Sequence, residues 1–176
     1  MISFHTFCTT HDIKTNESLS NFDIIDYMKK LKVKHFRGCY MRDTLPKKIK
    51  ANECGVTNLQ PDKDTGSHWT CYYKKRNEKY YFDSYGLTPT NEMIKYLKPT
   101  KNSSPIICSN FIIQKFGTVI CGQLCIYVLY MLDKEHKFLD ILLSLMDEIH
   151  NIKQGGDLNS DLDLVYDVSL IAELLL

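Results

Sequence analysis

A chain of 176 residues with 44% hydrophobic and 24% charged side chains has the make-up of an ordinary globular protein. Its length suits one domain around one core, so a single site is expected within residues 1–176. A formal net charge of +1 does not supply a general electrostatic grip on nucleic acid, and the local cluster of Lys29, Lys30, Lys32 and Lys34 reads as a solvated helix face. The longest apolar run, IYVLYML, falls far short of the roughly 20 residues a membrane span needs, and no N-terminal segment resembles a signal peptide. Seven cysteines, an odd number with no CxxC pair, point to reduced thiols in an intracellular setting and not to a disulfide framework.

In chain order, Ser20 followed by NFDIIDYMKKLKV predicts an N-capped amphipathic helix. Asp23 and Asp26 lie early, the lysines lie late, and Ile24, Met28 and Leu31 share a face. Residues 36–50 carry Gly38, Pro46 and a basic KKIK tail and read as loop with at most short strands. CGVTNLQ (54–60) has strand character and PDKDTGS (61–67) is a turn. The aromatic, β-branched runs HWTCYY (68–73) and YYFDSYG (80–86), joined by KKRNEK, predict an antiparallel hairpin. With the loop centred near Lys75 and Arg76, residues whose numbers sum to 151 face one another, which makes His68 and Asp83 cross-strand neighbours on one face. PIICSNFIIQKF (105–116) reads as a further buried strand or pair of strands.

From Cys121 the spacing becomes helical. Cys121, Cys125 and Leu129 stack on one face and Leu124, Val128 and Leu132 on the next, so the helix is apolar nearly all round and belongs at the centre of the fold. Two more helices are expected near Phe138–Ile149 and Leu162–Leu174, separated by the polar loop KQGGDLNSD. Strands in the middle with helices at both ends give an α+β fold with a mixed central sheet flanked by helices.

A thiol becomes a nucleophile where positive potential favours its thiolate, and Cys121 has such a place. It follows the Gly117–Thr118 turn and opens a long helix, whose unpaired N–H groups and dipole stabilise an anion. Cys125 lies one turn deeper and reads as packing. The pair offers no metal site, because no second cysteine or histidine pair sits at ligand spacing, so no metal is expected. Among six histidines, only His68 heads a core strand with an acid, Asp83, due to lie across from it. A histidine oriented by a carboxylate and facing a thiol is the triad arrangement, which is recognised by roles and not by chain order.

GSHWTCYY, YYFDSYG, Gln114 and TVICGQLC together resemble the adenovirus-type maturation protease, adenain, and its relatives the SUMO-specific proteases. That family runs in the order His, acid, Gln, Cys, with the glutamine seven residues before the nucleophile, and here Gln114 precedes Cys121 by seven. The matched segments cover residues 36–132. The compact size and the stretches FRGCYMRDTLPKK and NECGVTNLQ look most like the proteases of virophages and Maverick/Polinton-type elements. The resemblance implies a single cysteine protease domain with a papain-like core in permuted order.

Carried over position by position, Cys121 attacks the scissile carbonyl, His68 serves as base and then acid, and Asp83 fixes the imidazole tautomer. The Gln114 side-chain amide and the Cys121 backbone N–H form the oxyanion hole. Trp69 walls the substrate groove, and Gly122 lets substrate backbone come close. Adenain carries Glu where this chain has Asp83, a point on which it resembles the SUMO proteases instead. Adenain is also stimulated by a disulfide-linked peptide and by DNA. No cysteine here lies at the equivalent spacing, Cys108 being only a loose candidate, and the charge is near neutral, so neither a peptide nor a nucleic-acid activator is supported and no cofactor is expected.

The implied function is a viral-type cysteine endopeptidase, a monomer without membrane contact, that cuts capsid or other virion precursor polypeptides at glycine-rich sites. It would act in the host-cell cytoplasm or viral factory, or packaged in the virion. The alternative enzyme reading is an isopeptidase that removes SUMO or ubiquitin-like proteins. An inert binding module on the same fold is disfavoured, because all four roles are filled. QGG at 154–156 reads first as a flexible connector and not as a self-processing site.

Overall fold

In the computed structural model, which describes residues 1–151, a five-stranded mixed sheet runs in the spatial order β1 (Phe36–Met41), β2 (Asn52–Asn58), β3 (Trp69–Lys75), β4 (Glu78–Phe82) and β5 (Ile107–Cys108). β2, β3 and β4 are antiparallel neighbours, and β1 and β5 add parallel edges to β2 and β4. The helices are α1 (Phe4–Thr10), α2 (Asn21–Lys30), α3 (Asn91–Leu97), α4 (Cys121–Asp133) and α5 (Phe138–Asn151). This is the α+β arrangement expected, a mixed sheet with helices around it. The expected helix at 162–174 and the QGG segment lie outside the described residues.

Local chemistry accounts for the helix starts. Ser20 caps α2 in a reciprocal box, its side chain accepting from the Asp23 N–H while the Asp23 carboxylate accepts from the Ser20 N–H. Ile24 and Met28 are its buried face, and Lys29, Lys30, Lys32 and Lys34 are exposed. α4 is buried along nearly its whole length, from Gly122 to Leu129 and again at Met131 and Leu132. It packs on β3, with α1, α2 and α5 around it, and one continuous core joins these helices to Cys54, Val56, Cys71 and Phe82 of the sheet.

The other face of the sheet carries Tyr72 and Tyr81, which pack with Met93, Tyr96 and Leu97 of α3. Gly55 is required here by close approach: a Cβ at this position would stand 2.8 Å from the Tyr72 ring. Beneath that ring the carboxylate of Glu53, fully buried in β2, accepts from the Tyr72 hydroxyl at 2.9 Å, the Tyr96 hydroxyl, the Lys50 backbone N–H at 2.6 Å and the Arg37 guanidinium at 2.9 Å. A buried charge is tolerated when its lone pairs are filled in this way.

Two expectations are corrected. The β3–β4 turn centres on Arg76 and Asn77, so paired residues sum to 153, as in Tyr72 with Tyr81. His68 and Asp83 are therefore diagonal and not directly opposite, but an even change in the sum keeps both on one face. The segment 105–116 is strand only at Ile107–Cys108, because its main chain turns away to serve the site, with Ile113 and Gln114 N–H groups both donating to the Ser84 carbonyl. Within the segment expected to be loop with at most short strands, residues 36–41 form a short edge strand, since pairing with β2 satisfies their backbone despite Gly38. Helices α1 and α3, each seven residues long, also had no prediction.

Glu53→Ala leaves two buried hydroxyls and Arg37 without their acceptor, so it is expected to destabilise the fold by about 3 kcal/mol, measured by urea unfolding. A change under about 1 kcal/mol would mean that water replaces the carboxylate at little cost.

Candidate active site

The base and the acid stand at the two strand ends that the hairpin brings together. His68 immediately precedes β3 and Asp83 immediately follows β4. Asp83 is fully buried and His68 nearly so, and His68 Nε2 lies 3.1 Å from Asp83 Oδ1. The backbone of Asp83 is clamped by Ser109, which accepts from its N–H and donates to its carbonyl, both at 2.9 Å. The Tyr85 N–H donates to Asp83 Oδ1 at 2.7 Å. With Nε2 committed to the carboxylate, Nδ1 is the imidazole nitrogen left for a thiol.

That thiol is Cys121, the first residue of α4. The N-cap, Ile120, provides no side-chain acceptor, so the helix N-terminus keeps its unpaired donors and its positive potential for the sulfur. The Cys121 sulfur lies within the influence of His68 and of the backbone N–H groups of Trp69 and Gly122, each of which favours its thiolate. Burial pushes its pKa up, but the His68 hydrogen bond, the Trp69 N–H and the imidazolium charge outweigh burial and hold it below the ordinary thiol value. Burial likewise lowers the pKa of His68, and its bonds to Asp83 and Cys121 overcome this and raise it to about 9. Both shifts favour the proton on the imidazole and the thiolate at the sulfur. Burial raises the other perturbed thiols: Cys8 and Cys39 to about 12, and Cys54, Cys108 and Cys125 upward as well.

From Cys121 a groove of about 610 Å³ runs between the 18–23 segment, the ends of β1 and β2, and the 62–67 loop, with Trp69 in its wall. The Trp69 indole N–H donates to the Leu19 carbonyl at 2.8 Å, which ties the wall to the N-terminal segment. Gly122 is buried, and a Cβ there would stand 3.3 Å from both Trp69 and Leu19, so the missing side chain makes room for the wall. Gln123, which drew no attention in the sequence, donates through Nε2 to the Lys14 and Glu17 carbonyls at 2.7 and 2.9 Å. It pins the segment leading to Leu19 onto the helix that carries Cys121.

Gln114 is buried and its amide is oriented at both ends. Its side-chain oxygen accepts from the Ser84 hydroxyl at 2.8 Å, and Nε2 donates to the Thr118 carbonyl at 2.8 Å. One of the two Nε2 hydrogens remains uncommitted. Ser84 thus links Gln114 to the acid next to it in sequence, a link that a Ser following an Asp does not announce. Among the described residues, no group of three or more His, Cys, Asp and Glu side chains is placed to hold a metal ion, and no helix is long and apolar enough to cross a membrane.

No family model matches the chain, and no curated protein matches it. Among solved structures it is similar to the selenomethionine crystal structure of the ASFV pS273R protease, with 14% identity, a TM-score of 0.55, and coverage of 77% of this chain and 68% of that one. The two share a fold. The likeness spans most of the described sheet and helices and adds no residue roles at this identity.

Removing the imidazole removes the partner that holds the Cys121 proton away. Thiolate absorbance of the native protein is expected to show one cysteine ionising below the ordinary thiol range, and His68→Ala to push that ionisation above it. An unchanged low ionisation in His68→Ala would assign the shift to the helix terminus alone.

Proposed function

We propose that the protein is a cysteine endopeptidase of the adenain and SUMO-protease type. The observation that carries this reading is His68, held by Asp83 at 3.1 Å, beside Cys121 at the N-terminus of α4. The thiolate attacks a peptide carbonyl brought along the groove, and the negative oxygen that develops is met by the Cys121 backbone N–H and the free Nε2 hydrogen of Gln114. His68 passes its Nδ1 proton to the departing amine as the C–N bond breaks, leaving a thioester on Cys121. Neutral His68 then takes a proton from water, which attacks the thioester, and the thiolate is regenerated. Asp83 acts through His68 by keeping its charge favourable and its tautomer fixed.

The substrates we assign are capsid or other virion precursor polypeptides, cut at glycine-rich sites in the host-cell cytoplasm or viral factory or within the particle, by a monomer. Support comes from the resemblance of residues 36–132 to adenain and to the virophage and Maverick/Polinton-type proteases, and from the shared fold with a viral protease. Asp83 in place of adenain's Glu favours a second substrate class, SUMO- or ubiquitin-like conjugates. Activation through a disulfide at Cys108 gains no support, since burial raises that thiol.

Purified protein incubated with the capsid precursor of the same genome is expected to cut it, and Cys121→Ala to abolish cleavage with the circular dichroism spectrum unchanged. Cleavage retained by Cys121→Ala would remove the assignment. Cleavage only of fluorogenic SUMO or ubiquitin substrates would transfer it to the deconjugase. Gln114→Ala is expected to lower kcat by about 100-fold, the usual cost of one oxyanion donor, and a kcat within about threefold of wild type would free Gln114 of that role.

A further inference from the structure

We propose that Tyr85 is a positioning residue that holds both the base and the acid of the site, and that Phe116 caps it in a three-ring stack. The Tyr85 ring stacks on the His68 imidazole at 4.8 Å between centroids and 28° between planes. Its backbone N–H donates at 2.7 Å to Asp83 Oδ1, the same oxygen that faces His68 Nε2. One residue thus restrains the imidazole through its face and the carboxylate through its edge. Phe116 in turn stacks on Tyr85 at 5.3 Å, nearly parallel at 8°.

Ring order matters here because His68 lies past the end of the β3–β4 ladder, its backbone held from the β2 side, where its carbonyl accepts from the Leu59 N–H at 3.1 Å. It precedes β3 and has no ladder partner on β4, where pairing stops at Cys71 and Phe82. Hydrogen bonds at Nδ1 and Nε2 fix the imidazole along one axis but leave it free to tilt out of the plane that serves both partners. A stacked face removes that tilt, and offset aromatic stacks at this spacing are favourable beyond the area they bury.

Phe116 is 78% exposed and belongs to the short 115–118 turn in which the Lys115 carbonyl accepts from the Thr118 N–H and hydroxyl. The same turn carries the Thr118 carbonyl that orients the Gln114 amide, so one turn serves the stack and the oxyanion donor together. Phe116 lines no part of the groove. It stands on the imidazole side of the site, and its contact is with Tyr85.

This inference rests on the proposed protease site, and the test separates the two by reading the Cys121 thiolate directly, with iodoacetamide across a pH series on the full chain. In the wild type, Cys121 is expected to react with a rate already high at pH values well below the ordinary thiol pKa. A wild type without that fast phase would overturn the site itself. Given a fast phase, Tyr85→Ala is expected to move the profile up by about one pH unit, which is about tenfold less thiolate at mildly acidic pH. Tyr85→Phe, which keeps the ring, should restore the wild-type profile, and Phe116→Ala should move it by less than Tyr85→Ala. Far-ultraviolet circular dichroism checks that each variant is folded, and for any variant that is not, Phe116→Leu reads the cap alone, with a shift smaller than that of a lost ring expected. A wild-type profile in folded Tyr85→Ala would overturn the proposal, as would a Tyr85→Phe profile as displaced as that of the alanine variant.

Discussion

The packing of α4 against β3 is the constraint on which the site depends. α4 is buried on nearly every side, so its place is set by the core and not by the groove. Cys125 of α4 and Cys71 of β3 are neighbours in the main core, where burial raises the Cys125 thiol well above its ordinary pKa. That close approach sets the first residue of α4 beside the first residues of β3. Cys121 consequently meets His68 and the Trp69 N–H without a dedicated loop to carry it. The two cysteines of VICGQLC divide the labour by depth: Cys125 docks the helix, and Cys121, one turn earlier, reaches the end of the strand.

Two buried carboxylates show how the same sheet treats charge for different ends. Glu53 is filled by hydroxyls, a backbone N–H and Arg37, and it serves the α3 face. Asp83 receives His68 and the Tyr85 N–H on one oxygen, and its buried Oδ2 has no hydrogen-bond partner among the described residues. No cation other than His68 pairs with the Asp83 carboxylate there. The carboxylate thus stands against the imidazole with no competing cation among the described residues, which favours a proton on His68 beside the Cys121 sulfur.

Much of this was legible in the sequence where pattern and chemistry coincide. The helix from Cys121 declared itself by unbroken apolar spacing, the capped α2 by Ser20 and Asp23, and the hairpin by its two aromatic runs. The register was misjudged by one residue per strand, because KKRNEK offers several two-residue turns and only the folded sheet selects Arg76–Asn77 with Arg76 at φ 57°. The 105–116 segment misled for a related reason. Of its apolar residues only Ile113 is fully buried, while Ile107 and Phe116 are exposed, and beyond the short pairing with β4 the chain is irregular, its Ile113 and Gln114 N–H groups bonding to Ser84. Gly122, Gln123 and Tyr85 could not be read from local pattern, since each owes its use to a partner far away in sequence or to ring geometry. Short helices such as α3, with seven residues, are held by the Tyr72–Tyr81 face and carry little periodic signal of their own.

The central claim is that the proton shared by Cys121 and His68 rests on the imidazole. An NMR titration of the His68 ring nitrogens measures this directly. In the wild type the ring should titrate near pH 9, and in Cys121→Ala, which lacks the thiolate, its pKa should fall. A His68 that titrates near the ordinary value of 6.5 in both proteins would contradict the account.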